Sequence, residues 1–169
     1  MDFKLKTISK SGIAEAVAKA ELYRYLNEPE EAESICRDIL VADPNHQLGL
    51  RILGLSITDQ FMGEGSDRHK EAEGIFQKLS DAYERSYYTG LLHERRVKAQ
   101  LLAGRAPHTL LPLLEQAMQC FAEAEKIRPA GNDDSVLRWN RCVRLLQSRP
   151  DFEWETEIAS FEALDTPPS

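Results

Sequence analysis

The spacing of small and large apolar residues ahead of two prolines constrains this chain most. Ala32, Cys36, Ile39 and Pro44 stand at offsets 0, 4, 7 and 12, and Ala117, Phe121, Ala124 and Pro129 repeat those offsets. Between them, Ala72, Phe76 and Leu79 repeat the first three. Steps of four and three place side chains on one helical face. A small residue there lets a second helix approach closely, and a larger one a turn later fills the groove between the two. Proline cannot continue the helix and disfavours helical geometry in the residue before it. The pattern predicts short helices that pack in pairs.

The remaining chain agrees. Ala, Leu, Glu, Lys, Arg and Gln dominate between breaks at Asn27–Pro29, Asp43–Asn45, Gly63–Ser66, Gly104–Pro107, Pro129–Asp133 and Pro150. Ser86 and Thr89 offer one more cap. This predicts an all-α chain of about seven to eight helices, seven of them centred near residues 19, 36, 53, 75, 95, 118 and 140. Short links make successive helices antiparallel. Residues 1–11 read as a lead-in, 12–149 as the helical domain and 150–169 as a tail.

First helices share a frame as well. Ala16, Ala20 and Tyr23 recur thirty-four residues later as Leu50, Gly54 and Ile57. With the stretch Asn27-Glu28-Pro29-Glu30-Glu31-Ala32-Glu33 running to Asp43-Pro44-Asn45, this resembles the tetratricopeptide repeat, a helix–turn–helix unit of about 34 residues. The resemblance covers roughly residues 13–147, as three repeats and a final capping helix. The alanine markers are 40 and then 45 residues apart, so Phe61–Lys70 carries an insertion and Arg105–Gln116 extends the third repeat's second helix. HEAT-like repeats run at that longer period; the prolines at 44 and 129 and the Leu53–Gly54 pair favour the tetratricopeptide form. Ser86–Ala103 carries no marker that fixes its phase.

The resemblance implies a right-handed superhelix of antiparallel helix pairs, with first helices lining a concave groove. Groove-facing positions would be Val17, Glu21 and Arg24 in the first repeat, and Leu48, Arg51, Leu55 and Thr58 in the second. This mixed surface suits an extended peptide or a helix of another protein. Some family members clamp a C-terminal carboxylate with Lys and Asn; Val17, Glu21 and Leu55 lack that chemistry. The expected function is a non-catalytic interaction module: an adaptor, assembly factor or small chaperone, monomeric or weakly self-associating. The alternative is a structural subunit that stacks on its own copy.

Charge and motifs narrow the classes further. Twenty-one Lys and Arg face 28 Asp and Glu, a net charge of −7, which opposes binding to nucleic acid. No apolar run reaches the length of a membrane span. Lys4, Lys6 and Lys10 precede no apolar stretch, so no secretory leader is expected at this end. Cys36, Cys120 and Cys142 are far apart and read as small buried thiols of a reducing, cytoplasmic compartment. His46, His69, His93 and His108 form no helical metal pair; His93-Glu94 starts like a zincin motif, but Val97 stands where the second histidine belongs. Gly63-Glu64-Gly65-Ser66 lacks the lysine and preceding strand of a phosphate loop. Glu28, Glu30, Glu31 and Glu33 crowd a helix start, where negative charge is favoured, with Glu33 and Arg37 as an i,i+4 pair. No catalytic residue, metal or cofactor is expected.

The last helix is predicted over Asp134–Gln147, with Val136, Trp139, Val143 and Leu146 as its core stripe and Arg138, Arg141 and Arg144 as a basic face. The tail beyond carries six acids and no base, and Trp154, Ile158 and Phe161 share one helical face. Residues 151–165 are therefore expected to dock on the last repeat as an amphipathic helix, their glutamates near those arginines.

Overall fold

The computed structural model describes residues 1–62 and 68–152. Seven α-helices follow one another: α1 (Ile13–Tyr25), α2 (Pro29–Ala42), α3 (Gln47–Asp59), α4 (His69–Phe76), α5 (Ala82–Leu102), α6 (Leu111–Lys126) and α7 (Asp134–Ser148). Short 3-10 turns cover Lys10–Gly12, Pro107–Leu110 and Pro150–Phe152, and no strand occurs among the described residues.

Local chemistry sets the ends. Pro29 sits in the first turn of α2, where its missing N–H costs nothing. His46 caps α3, its Nδ1 accepting from the Gly49 N–H at 3.0 Å, and Asp81 caps α5 by accepting from the Glu84 N–H at 2.8 Å. Gly104 after α5 has a φ of +89°, a left-handed conformation that glycine adopts without a Cβ penalty. Helix α5 runs unbroken through Ser86 and Thr89, because Asp81 supplies the cap further upstream. Of the expected extension at Arg105–Gln116, the part up to Leu110 is a turn plus a 3-10 segment, and Leu111–Gln116 is the start of helix α6.

Each helix packs on the next in sequence, and α1 touches α3, α3 touches α5, and α5 touches α7. The odd-numbered helices thus form one continuous layer and the even-numbered ones back it. All nine marker residues on α2, α6 and the α4 segment (Ala32, Cys36, Ile39, Ala72, Phe76, Leu79, Ala117, Phe121, Ala124) are fully buried. Two glycines of the odd layer meet the aromatics of their partner helices. A Cβ on Gly54 would lie 2.3 Å from Phe76 Cε1, and one on Gly90 would lie 2.7 Å from Phe121 Cε1. Gly90 thereby marks the face of α5 that packs on α6.

Two apolar clusters fill the interior. The first joins α1 to α5 around Ile39, Leu50, Ile57, Phe76 and Leu92. The second joins α5 to α7 around Val97, Leu114, Phe121 and Cys142, and it includes Phe152 beyond the last helix.

Candidate functional site

The odd layer is indented where α1, α3 and α5 meet. A cavity of about 430 Å³ is lined there by Glu21, Arg24 and Tyr25 of α1, by Leu48, Arg51, Ile52 and Leu55 of α3, and by Tyr88 of α5. Five of the seven groove positions anticipated on α1 and α3 (Glu21, Arg24, Leu48, Arg51, Leu55) are among these. Val17 and Thr58 are not: both are buried. Val17 belongs to the first apolar cluster. Thr58 is covered by α5, whose Arg95 Nη1 donates to its hydroxyl at 2.7 Å, while the hydroxyl donates to the Leu55 carbonyl at 2.8 Å. Tyr25, Ile52 and Tyr88 are lining residues that the repeat frame does not single out. Tyr25 lies four residues after Glu21, a step that the helical frame contains; Tyr88 lies in the segment with no marker.

Ion pairs fix the polar walls. Asp59 at the end of α3 receives Arg24 Nε at 2.7 Å and Arg95 Nη1 at 2.5 Å, so one carboxylate ties α1, α3 and α5 together. Burial pushes the Arg95 guanidinium below its ordinary value, with Asp59 opposing that shift. Arg51 reaches Glu84 at 3.2 Å. Burial works against its charge, but hydrogen bonding to Tyr88 and the nearby Glu84 and Glu21 carboxylates raise its pKa overall.

Arg51 and Tyr88 also border a second cavity of about 300 Å³, which continues past Gln47, Asp81, Glu84 and Tyr87 to Asn132 and Asp134 at the start of α7. Its aromatic wall is a ladder. The Tyr83 and Tyr87 rings stack with centroids 5.7 Å apart, and Tyr87 meets Tyr88 edge-on at 5.1 Å. The two cavities share Arg51 and Tyr88, so the recessed surface extends from α1 to the start of α7.

Helix α7 is phased differently from its sequence expectation. Ser135 and Cys142 are its buried residues, Val136 and Val143 are half-buried, and Trp139 is exposed at 36 %. Arg138 faces inward with Ser135 and Cys142, so the three arginines do not share one basic face; Arg141 and Arg144 remain exposed. The physical reason is a waiting partner. Glu94 of α5 is 1 % exposed and lies 2.6 Å from Lys98 and 3.7 Å from Arg138. A buried carboxylate needs countercharge more than a stripe needs its bulkiest residues inside. The tail anchors Trp154, Ile158 and Phe161 lie outside the described residues.

Histidines distant in sequence come together in the fold. His93 senses His69, Glu73 and Arg96 electrostatically, and Cys120 senses Glu73. Burial pushes the His93 imidazole down and the Cys120 thiol up. Cys120 is only half-buried, whereas Cys36 and Cys142 are buried, their thiols pushed up to about 12 by desolvation. Among the described residues no group of three or more His, Cys, Asp or Glu is arranged to hold a metal ion, and no helix is long and apolar enough to cross a membrane. No protein-family model, curated protein or solved structure matches this chain.

Proposed function

We propose that this chain is a non-catalytic interaction module of tetratricopeptide-like build, an adaptor, assembly factor or small chaperone of the cytoplasm. It takes a peptide or helix of another protein along the odd-numbered layer. The observation that carries this reading is the groove bordered by Arg51 and Tyr25. Arg51 is preset by Glu84 and Tyr88, so little side-chain freedom is lost when it engages a ligand. Tyr25 is 90 % exposed at the rim. Arg and Tyr are the residue types that most often dominate binding energy at interfaces. The even layer's close packing against the odd one supplies the rigid backing such recognition needs.

The test is quantitative binding to a partner identified by affinity capture. Tyr25→Ala and Arg51→Glu are each expected to weaken it about tenfold or more, as truncated anchors do. An exposed pair far from the groove, Glu123 and Lys126, serves as the control and its alanine variants are expected to bind normally. Affinity unaffected by both groove changes overturns the proposal.

One observation favours self-association as the second reading. Leu22, Tyr25 and Leu26 stand together at the end of α1, exposed at 53, 90 and 56 %. A copy seated there would give a mass that rises with concentration in light scattering and reverts to monomer with Leu22→Lys. A constant monomer mass removes this reading.

A further inference from the structure

The even-numbered side of the molecule carries a second recess, which shares no lining residue with the groove of the odd layer. Helices α2 and α4 both pack on α3 but only marginally on each other. Between them lies a cleft of about 530 Å³, floored by Leu50 and Leu53 of α3, which are 2 and 3 % exposed. Leu40 and Val41 form its α2 wall, and Gly74 and Ile75 its α4 wall. Val41 is 65 % exposed, and a Cβ on Gly74 would meet nothing within 4 Å, so the apolar slot is open from outside.

The charges around this slot divide into committed and free. Arg37 and Glu71 pair between the two helices at 2.7 Å, and Arg68 binds Glu71 at 2.9 Å and Glu33 at 2.7 Å. Lys70 and Lys78 are exposed at the rim and make no hydrogen bond or ion pair among the described residues. The uncompensated charge beside the apolar floor is therefore positive.

We infer that the α2–α4 cleft docks an amphipathic helix of a partner protein, its apolar face on Leu50 and Leu53 and its acidic side chains on Lys70 and Lys78. Charge complementarity calls for the acids. A helix satisfies its own backbone, whereas an extended segment would face walls whose backbone groups are already spent inside α2, α3 and α4. Eight residues separate the two lysines, roughly 12 Å at the helical rise, so acids two turns apart on the incoming helix match them. A second copy fits less well, because a two-fold contact would set Lys70 and Lys78 against their own equivalents.

Two synthetic amphipathic helices of about sixteen residues test this, alike in their leucine face and flanked by Glu in one and Lys in the other. Fluorescence anisotropy with the full chain is expected to show saturable binding of the Glu helix and at least about tenfold weaker binding of the Lys helix. A Glu helix that fails to bind at about 100 μM, or a Lys helix that binds as well, overturns the proposal. Lys70→Glu/Lys78→Glu alters only exposed side chains and is expected to weaken the Glu helix about tenfold or more, since two attractions become repulsions. Gly74→Leu fills the slot and is expected to abolish binding in protein whose circular dichroism shows it folded; should it unfold, the lysine reversal decides alone. Tyr25→Ala in the odd-layer groove is expected to leave binding unchanged. Loss with Tyr25→Ala but not with the cleft variants places the helix in the groove, which overturns the proposal and leaves the groove reading intact. A mass of the free chain that rises with concentration and reverts to monomer with Gly74→Leu makes a second copy the occupant and overturns it equally.

Discussion

Phe76 lies across Gly54 so closely that a methyl group on that glycine would sit 2.3 Å from the ring's Cε1. Phe76 is itself fully buried and stacks on Tyr88 of α5 with centroids 5.5 Å apart, so the ring has no room to retreat. The contact joins α3 to α4 and, through Tyr88, reaches the rim of the groove.

Gly54→Ala is therefore expected to destabilise the protein by about 1–3 kcal/mol, an overpacking cost that outweighs alanine's better helix propensity of about 1 kcal/mol. Gly90→Ala, 2.7 Å from Phe121, should behave alike. Gly74 in α4 has open space around its Cα, and Gly74→Ala should be neutral or stabilising. Urea unfolding of the three variants separates these outcomes; equal effects at Gly54 and Gly74 would contradict the packing account.

Helix count and helix position are legible in the sequence because of its punctuation: prolines, glycines and Asp-Asn clusters stand between segments of helical period. The site is legible on α1 and α3, where two frames agree thirty-four residues apart. It is not legible on α5, because Tyr83, Tyr87, Tyr88, Thr89, Glu94 and Gln100 break any simple apolar stripe there. Several of these are buried for reasons of pairing: Glu94 beside Lys98 and Arg138, Gln100 accepting from Arg105. The phase of helix α7 is hidden for the same reason. Its inward face holds a serine, an arginine and a cysteine, residues that a search for large apolar side chains discards.

Glu33 gives a pH signature. Its carboxylate, on α2, accepts from Arg68 at 2.7 and 3.0 Å, from Gln60 at 2.7 Å and from Arg37 at 2.5 Å. The Arg68 hydrogen bonds lead in holding its pKa down at about 2, against 4.5 ordinarily, with burial opposing. A carboxyl lowered on folding contributes stability that is complete above its unfolded pKa. The contribution is lost as pH falls from 4.5 towards 2, where the unfolded chain binds the extra proton first. Glu33→Gln should cost about 2 kcal/mol near neutral pH, allowing for screening at the partly exposed arginines, and nothing near the folded pKa. Melting curves of both proteins across that acid range check it; a pH-independent difference would assign the effect to packing instead.

Phe152 makes the last test, because it ties the chain beyond α7 into the second apolar cluster. It lies beyond α7, yet only 1 % of it is exposed, and it shares a cluster with Val97, Leu110, Leu114, Phe121 and Cys142 from α5, the Pro107–Leu110 turn, α6 and α7. Removing a buried phenylalanine forfeits its transfer free energy and leaves a cavity, so Phe152→Ala is expected to cost about 3–5 kcal/mol. Leu137 on α7 is 63 % exposed, and Leu137→Ala should stay within about 0.5 kcal/mol. Deletion from residue 150 removes this core side chain together with the acidic segment, whereas deletion from residue 153 spares it. The first truncation should therefore lower the melting temperature far more than the second. Equal losses would show that Pro150–Phe152 adds nothing to stability beyond the residues after it, and would overturn the core role given to Phe152.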